Sequence, residues 1–156
     1  MYIIRHMISI QEKDIDISVC FAGHRYEWHC VGASGKLYKE IINLIDKGCK
    51  IFYIGLKGAF DNLVAQTLLE IKKKYPEIKI IQVLSSYNPN KKTESFDASI
   101  YPPLENIFYK QRITKRNEWM VLHSKYIICK IIHTENSGAA KMVDFARQHN
   151  KIIIEL

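Results

Sequence analysis

The chain has 156 residues, 47% hydrophobic and 25% charged, with 23 basic and 16 acidic residues and a net charge of +7. That length and balance are ordinary for one soluble globular domain with a single core, and no apolar stretch approaches the roughly 20 residues of a bilayer span, which excludes a membrane-spanning helix. The basic excess favours phosphorylated or polyanionic partners, although a lysine-rich solvated face produces the same balance.

Residues 1–10 carry Arg5 and His6 in their middle and no small-residue cleavage site. They do not read as a signal peptide, so the expected location is cytoplasmic. Residues 1–16 read as either an N-terminal arm or an added edge strand. The apolar run 17–22 reads as a buried strand, and Gly23-His24-Arg25 follows it directly. Glycine at a strand end permits a sharp turn and close approach to a ligand. Arginine then offers a planar charged fork to phosphate or carboxylate. Residues 34–47 place Leu37, Ile41, Leu44 and Ile45 at helical spacing, and Gly48 closes that helix.

A second strand, 50–54, runs into the glycine turn Gly55-Leu56-Lys57-Gly58. Helix 60–74 presents Phe60, Leu63, Val64, Leu68 and Ile71 on one face and stops at Pro76. Residues 78–84 form an isoleucine-rich strand. Segment 85–111 breaks the rhythm with Asn88-Pro89-Asn90 and Tyr101-Pro102-Pro103 and reads as a long loop. A helix over 112–123 and a strand over 126–132 follow. The third glycine loop, Asn136-Ser137-Gly138-Ala139, opens helix 137–149, and strand 151–155 ends the chain.

Strands this continuously apolar are buried on both faces, which requires a parallel sheet covered by helices. Right-handed crossovers then predict a single Rossmann-like three-layer α/β domain over residues 17–156. Its sheet has five parallel strands in the order 3-2-1-4-5, with helices on both faces. The switch point falls between the first and fourth strands, so the loops after them flank a crevice. All three glycine loops emerge on one sheet edge and can together build an anion site. Cys20, Cys49 and Cys129 lie in or beside apolar runs without a CxxC pair, and read as reduced, buried hydrophobes.

Candidate ligand-binding residues follow from those loops. Gly23, Gly55, Gly58 and Gly138 allow backbone approach. Arg25 and Lys57 are phosphate contacts by charge, and His24 either donates to the ligand or braces its loop. Asp61 either holds a ribose hydroxyl or is a dipole-favoured acid in a first helical turn. Arg116 shares a helix face with Arg112 and either clamps the far end of a nucleotide or lies on a solvated face. Ser137 caps its helix and can meet a phosphate with the same hydroxyl. Tyr87 is a stacking candidate, Trp119 and Met120 read as core, and Glu135 is a speculative general acid or base. His24, His29 and Cys30 lack the second cluster that a structural zinc site needs, so no metal is expected. No P-loop and no Gly-x-Gly-x-x-Gly fingerprint occurs, which excludes those two routes to nucleotide chemistry.

The segments CFAGHR, YIGLKGAFDNLV, KRNEWMVLHSKYIICKI and SGAA occur in that order. Together they make residues 17–156 resemble the YpsA-like branch of the SLOG superfamily, which joins DprA-type DNA-processing proteins to the LOG phosphoribohydrolases. The resemblance implies a Rossmann-like fold that binds nucleotides or nucleotide-derived ligands. Arg116-Asn117 belongs to one of the motifs that carry it. The LOG enzymes place a proline-glycine-glycine loop before a catalytic glutamate. Here the matching stretch, Glu135 to Met142, lacks the proline, keeps one glycine and has no glutamate on the following turn.

Three functions compete at this point. The first is a binding module or sensor for a nucleotide or ADP-ribose-like ligand, without a cofactor. The second is a nucleoside monophosphate phosphoribohydrolase using Asp61, Glu135 or Asp144. The third is DprA-like binding of single-stranded DNA, which the spread of basic residues over several elements disfavours. Related domains pair through helices, so a homodimer is the default expectation.

Overall fold

A computed structural model describes residues 12–87, 95–133 and 136–156. The elements in chain order are α1 (Glu12–Ile15), β1 (Ser18–Gly23), a 3-10 turn (Glu27–Cys30), α2 (Ala33–Asp46), β2 (Ile51–Ile54), α3 (Ala59–Lys72) and β3 (Lys79–Val83). They continue with β4 (Ala98–Ile100), a second 3-10 turn (Tyr109–Gln111), α4 (Arg112–Leu122), β5 (Tyr126–Lys130), α5 (Gly138–Gln148) and β6 (Ile152–Glu155). Of the segment 1–16, the described part forms one helical turn, α1; the expected arm or edge strand otherwise lies outside the described residues.

All strand pairs are parallel, and the sheet order is β4-β3-β2-β1-β5-β6. The expected five-strand order sits intact inside it. The correction is a sixth strand, β4, inside the segment read as a loop. Its three residues are pinned from outside the strand. The Asp97 carboxylate accepts hydrogen bonds from the Ile80 amide and Lys72 Nζ, both at 2.8 Å, while the Asp97 amide donates to the Ile80 carbonyl at 3.0 Å. Partial burial works to raise the Asp97 pKa, but the Ile80 amide and Lys72 outweigh it and hold the carboxylate below its ordinary range.

Alternation along β1 divides the core into two layers. Val19 and Phe21 face α2 and α3, packing with Leu37, Ile41, Phe52, Phe60 and Leu68. Cys20 and Ala22 face the opposite side, with Tyr53, Ile81, Met120, Val121, Val143 and Ala146. Cys20, Cys49 and Cys129 are buried free thiols; burial pushes Cys20 and Cys129 up to about 12 and Cys49 up to about 11. Among the described residues, no helix is long and apolar enough to cross a membrane.

Candidate functional site

The neighbours of β1 are β2 on one side and β5 on the other, and β2 and β5 lie in opposite directions from the switch point. A cavity of about 260 Å³ opens there, at the carboxyl edge of the sheet. Its walls bring together Gly23, His24, Arg25, Lys57, Asp61, Arg116, Ser137 and Gly138, from the three strand-to-helix junctions, the first turn of α3 and α4. Gly55 and Gly58 stand behind the wall rather than in it.

The first two loops are locked to each other. The Ala59 amide donates to the Arg25 carbonyl at 2.9 Å and the Phe60 amide to the His24 carbonyl at 3.3 Å, so the first loop caps α3. This contact requires glycine at position 58. Its φ is +119°, and a Cβ there would stand 2.7 Å from the Arg25 Cα. The Asp61 carboxylate accepts the Lys57 amide at 2.7 Å. The Ala59 and Phe60 amides at the start of α3 are therefore already engaged by protein. Gly23 has a comparable packing origin: a Cβ there would lie 2.1 Å from Phe60 Cγ.

His24 braces the loop. Its buried Nε2 accepts the Ile132 amide at 2.8 Å, which places the ring proton on Nδ1 and ties the first loop to the exit of β5. At the third loop, Ser137 Oγ accepts the Ala140 amide at 3.1 Å and caps α5. Among the described residues, the Gly138 and Ala139 amides have no acceptor, and both residues face the cavity. The Arg25 side chain is exposed and its guanidinium has no partner among the described residues. Lys57 is exposed beside it.

Arg116 is 2% exposed. Its Nη1 donates to the carbonyls of Gly55 (2.8 Å) and Val83 (3.0 Å), and its Nε to Asn117 Oδ1 (3.0 Å). It thus joins α4 to the ends of β2 and β3, and it is neither on a solvated face nor fully free to clamp a ligand. Gly55 makes room for it, since a Cβ there would meet Nη1 at 2.7 Å. Burial raises the Asp61 pKa, opposed by the Lys57 amide and by Arg116; burial lowers that of Arg116, opposed by Asp61. These two groups put a carboxylate and a guanidinium on the cavity wall without a direct ion pair between them.

Arg112 turns away, donating from Nε to the Ile107 carbonyl at 2.9 Å. Trp119 packs edge-on against Tyr53 at 5.5 Å, and Met120 is buried at the cavity floor. Tyr87 pairs with Tyr101 at 6.2 Å and does not line the cavity. Glu135 lies outside the described residues. Among the described residues no three His, Cys, Asp or Glu side chains group to hold a metal ion. Tyr26, which no sequence motif singles out, and His29, considered above only as a metal ligand, also line the cavity. The signal available was an aromatic run directly after the Gly-His-Arg turn.

No family model matches the chain, and no curated protein matches it. Solved structures do. The fold is similar to that of DNA processing protein A (DprA) from Streptococcus pneumoniae, with a TM-score of 0.62 and 17% identity, over 90% of this chain and 50% of that one. It is also similar to the molybdenum cofactor carrier protein from Chlamydomonas reinhardtii, with a TM-score of 0.57 and 17% identity, over 90% of this chain and 76% of that one. The class defined by fold and crevice is a parallel, doubly wound Rossmann-like domain, and both of these solved structures share that fold. The chain spans about half the length of the DprA structure.

Proposed function

We propose that this domain is a binding module of the SLOG type, on the YpsA-like branch, for a nucleotide or nucleotide derivative such as an ADP-ribose-like ligand. One observation carries the reading. Arg25, whose guanidinium has no partner among the described residues, lines the same cavity as Gly138 and Ala139, whose amides at the start of α5 have no acceptor among them. A helix N-terminus with free amides attracts phosphate, and a guanidinium adds a charge-assisted fork. Asp61 supports a hydroxyl-bearing sugar next to that phosphate, and Arg116 fixes the wall behind it. The two solved neighbours, one named for DNA processing and one for carrying a molybdenum cofactor, are compatible with ligand binding on this fold.

The test is Arg25→Ala. Hydrogen bonds to a charged group contribute about 1.5–3 kcal/mol, so affinity for AMP or ADP-ribose, read by calorimetry, should fall roughly 10- to 150-fold. The ligand-free melting midpoint should not move, because the side chain is exposed. Unchanged affinity in the variant would contradict the site.

A hydrolytic reading has one observation in its favour: Asp61 is the only carboxylate among the described residues lining the cavity. Cleaving an N-glycosidic bond develops positive charge on the sugar, which a placed carboxylate stabilises. The start of α5 adds no carboxylate: it brings Gly138, Ala139 and Met142 to the cavity, and the exposed Lys141 does not line it. The expected outcome with purine and pyrimidine monophosphates is little or no release of free base. Steady release that disappears in Asp61→Asn would establish a phosphoribohydrolase instead.

A further inference from the structure

Two large aromatic side chains stand in water beside the cavity. Tyr26 is 63% and Trp28 65% exposed, in the segment between β1 and α2. Their rings are parallel within 10°, with centroids 6.4 Å apart. They are not loosely held. The Tyr26 carbonyl accepts the His29 amide at 3.1 Å, closing the 3-10 turn. The Trp28 ring lies 3.6 Å from the buried His29 ring, and His29 lies 4.5 Å from His24. His24 is in turn bound to the Ile132 amide. The exposed rings therefore stand on two buried histidine rings, of which His24 is tied by a hydrogen bond to the Ile132 amide. Aromatic side chains gain most when buried, so core packing does not account for holding these two outward in parallel.

Their position relates them to the ligand. Tyr26 follows Arg25 directly and lines the same cavity as Ser137 and Gly138. At about 260 Å³ the cavity is small; pockets that enclose a whole ligand run from roughly 300 Å³ upward. It has room for a sugar phosphate and leaves an attached base at the rim, where Tyr26 stands. We infer that Tyr26 and Trp28 form the stacking platform for the nucleobase of the bound nucleotide, outside the phosphate and sugar subsites. The inference rests on the nucleotide reading of the crevice and adds to it: the ligand's base is held by its π-face rather than by edge hydrogen bonds, so purines and pyrimidines are both accepted.

The test compares AMP, UMP and ribose 5-phosphate by calorimetry on the full chain. Stacking on an aromatic side chain strengthens binding roughly 5- to 150-fold per base. AMP and UMP should both bind more tightly than ribose 5-phosphate by a factor in that range. Trp28→Ala, outside the cavity wall, should shrink that advantage while leaving ribose 5-phosphate affinity unchanged; Tyr26→Ala should shrink it too, and Tyr26→Phe should keep it. Because both side chains are exposed, each variant should melt with the native chain. AMP should quench emission in the native chain and not in Trp28→Phe, whose remaining tryptophan is Trp119. If ribose 5-phosphate binds as tightly as AMP, the platform is wrong while the phosphate site stands. If none of the three binds, both readings fail. If AMP does not bind but a single-stranded oligonucleotide binds in a Tyr26-dependent way, the platform serves nucleic acid and the inference is overturned.

Discussion

Replacing Arg116 with methionine should lower stability by about 2–6 kcal/mol. The estimate comes from two buried backbone carbonyls, those of Gly55 and Val83, losing their donor; a buried acceptor left unsatisfied costs about 1–3 kcal/mol. Methionine keeps the length of the side chain and removes the cost of burying a guanidinium, which draws the loss towards the lower end of that range. In a domain of this size the melting midpoint should drop by roughly 5–20 °C. Asp61 would also lose the positive charge that opposes its burial. Arg116→Lys should recover part of the loss, since an ammonium restores the charge but not the fork. A midpoint within a degree or two of the native chain would show that Arg116 is kept for a ligand rather than for the fold.

A comparable loss is expected for Gly23→Ala, at about 3 kcal/mol. The added methyl would occupy the space of the Phe60 ring, 2.1 Å from Cγ. Phe60 is fully buried in the first turn of α3, so it cannot swing into solvent. Overpacking of this kind costs about 1–3 kcal/mol or more. The mechanism predicts a specific coupling: Gly23→Ala placed on Phe60→Ala, which removes Cγ and the ring, should cost less than on the native chain, a non-additive pair in a double-mutant cycle by urea unfolding. If Gly23→Ala leaves stability intact and abolishes nucleotide binding, the glycine serves ligand approach instead.

These two residues mark where sequence reading succeeds and where it stops. Periodicity and continuous apolar runs expose the doubly wound architecture, because buried parallel strands and amphipathic helices have no other way to satisfy their surfaces. Strand β4 escaped because Ala98–Ile100 is three residues long, too short for alternation to register, and is held by the long-range contacts of Asp97 with Ile80 and Lys72. The loops at the crevice were legible as a set. The division of labour among them was not. Gly23 and Gly58 look alike in sequence to glycines that admit a phosphate, but here they admit Phe60 and the backbone of Arg25. Whether a helix start is open to an anion depends on what caps it. The first loop caps α3 across 34 or more positions of chain, from His24 and Arg25 to Phe60 and Ala59, and no local pattern reports that. Arg116 shows the same limit, since only the tertiary structure reveals the carbonyls that it joins.

Phosphate is expected to bind between Arg25 and the first turn of α5. Amide chemical-shift mapping of the 15N-labelled full chain during titration with AMP tests it most directly. The largest shifts should fall on the amides of Gly138 and Ala139, the Ala59 and Phe60 amides should move little because His24 and Arg25 already hold them, and Arg25→Ala should suppress the pattern. Saturable binding whose largest shifts lie outside the crevice, or on α3 with none at Gly138 and Ala139, would contradict it.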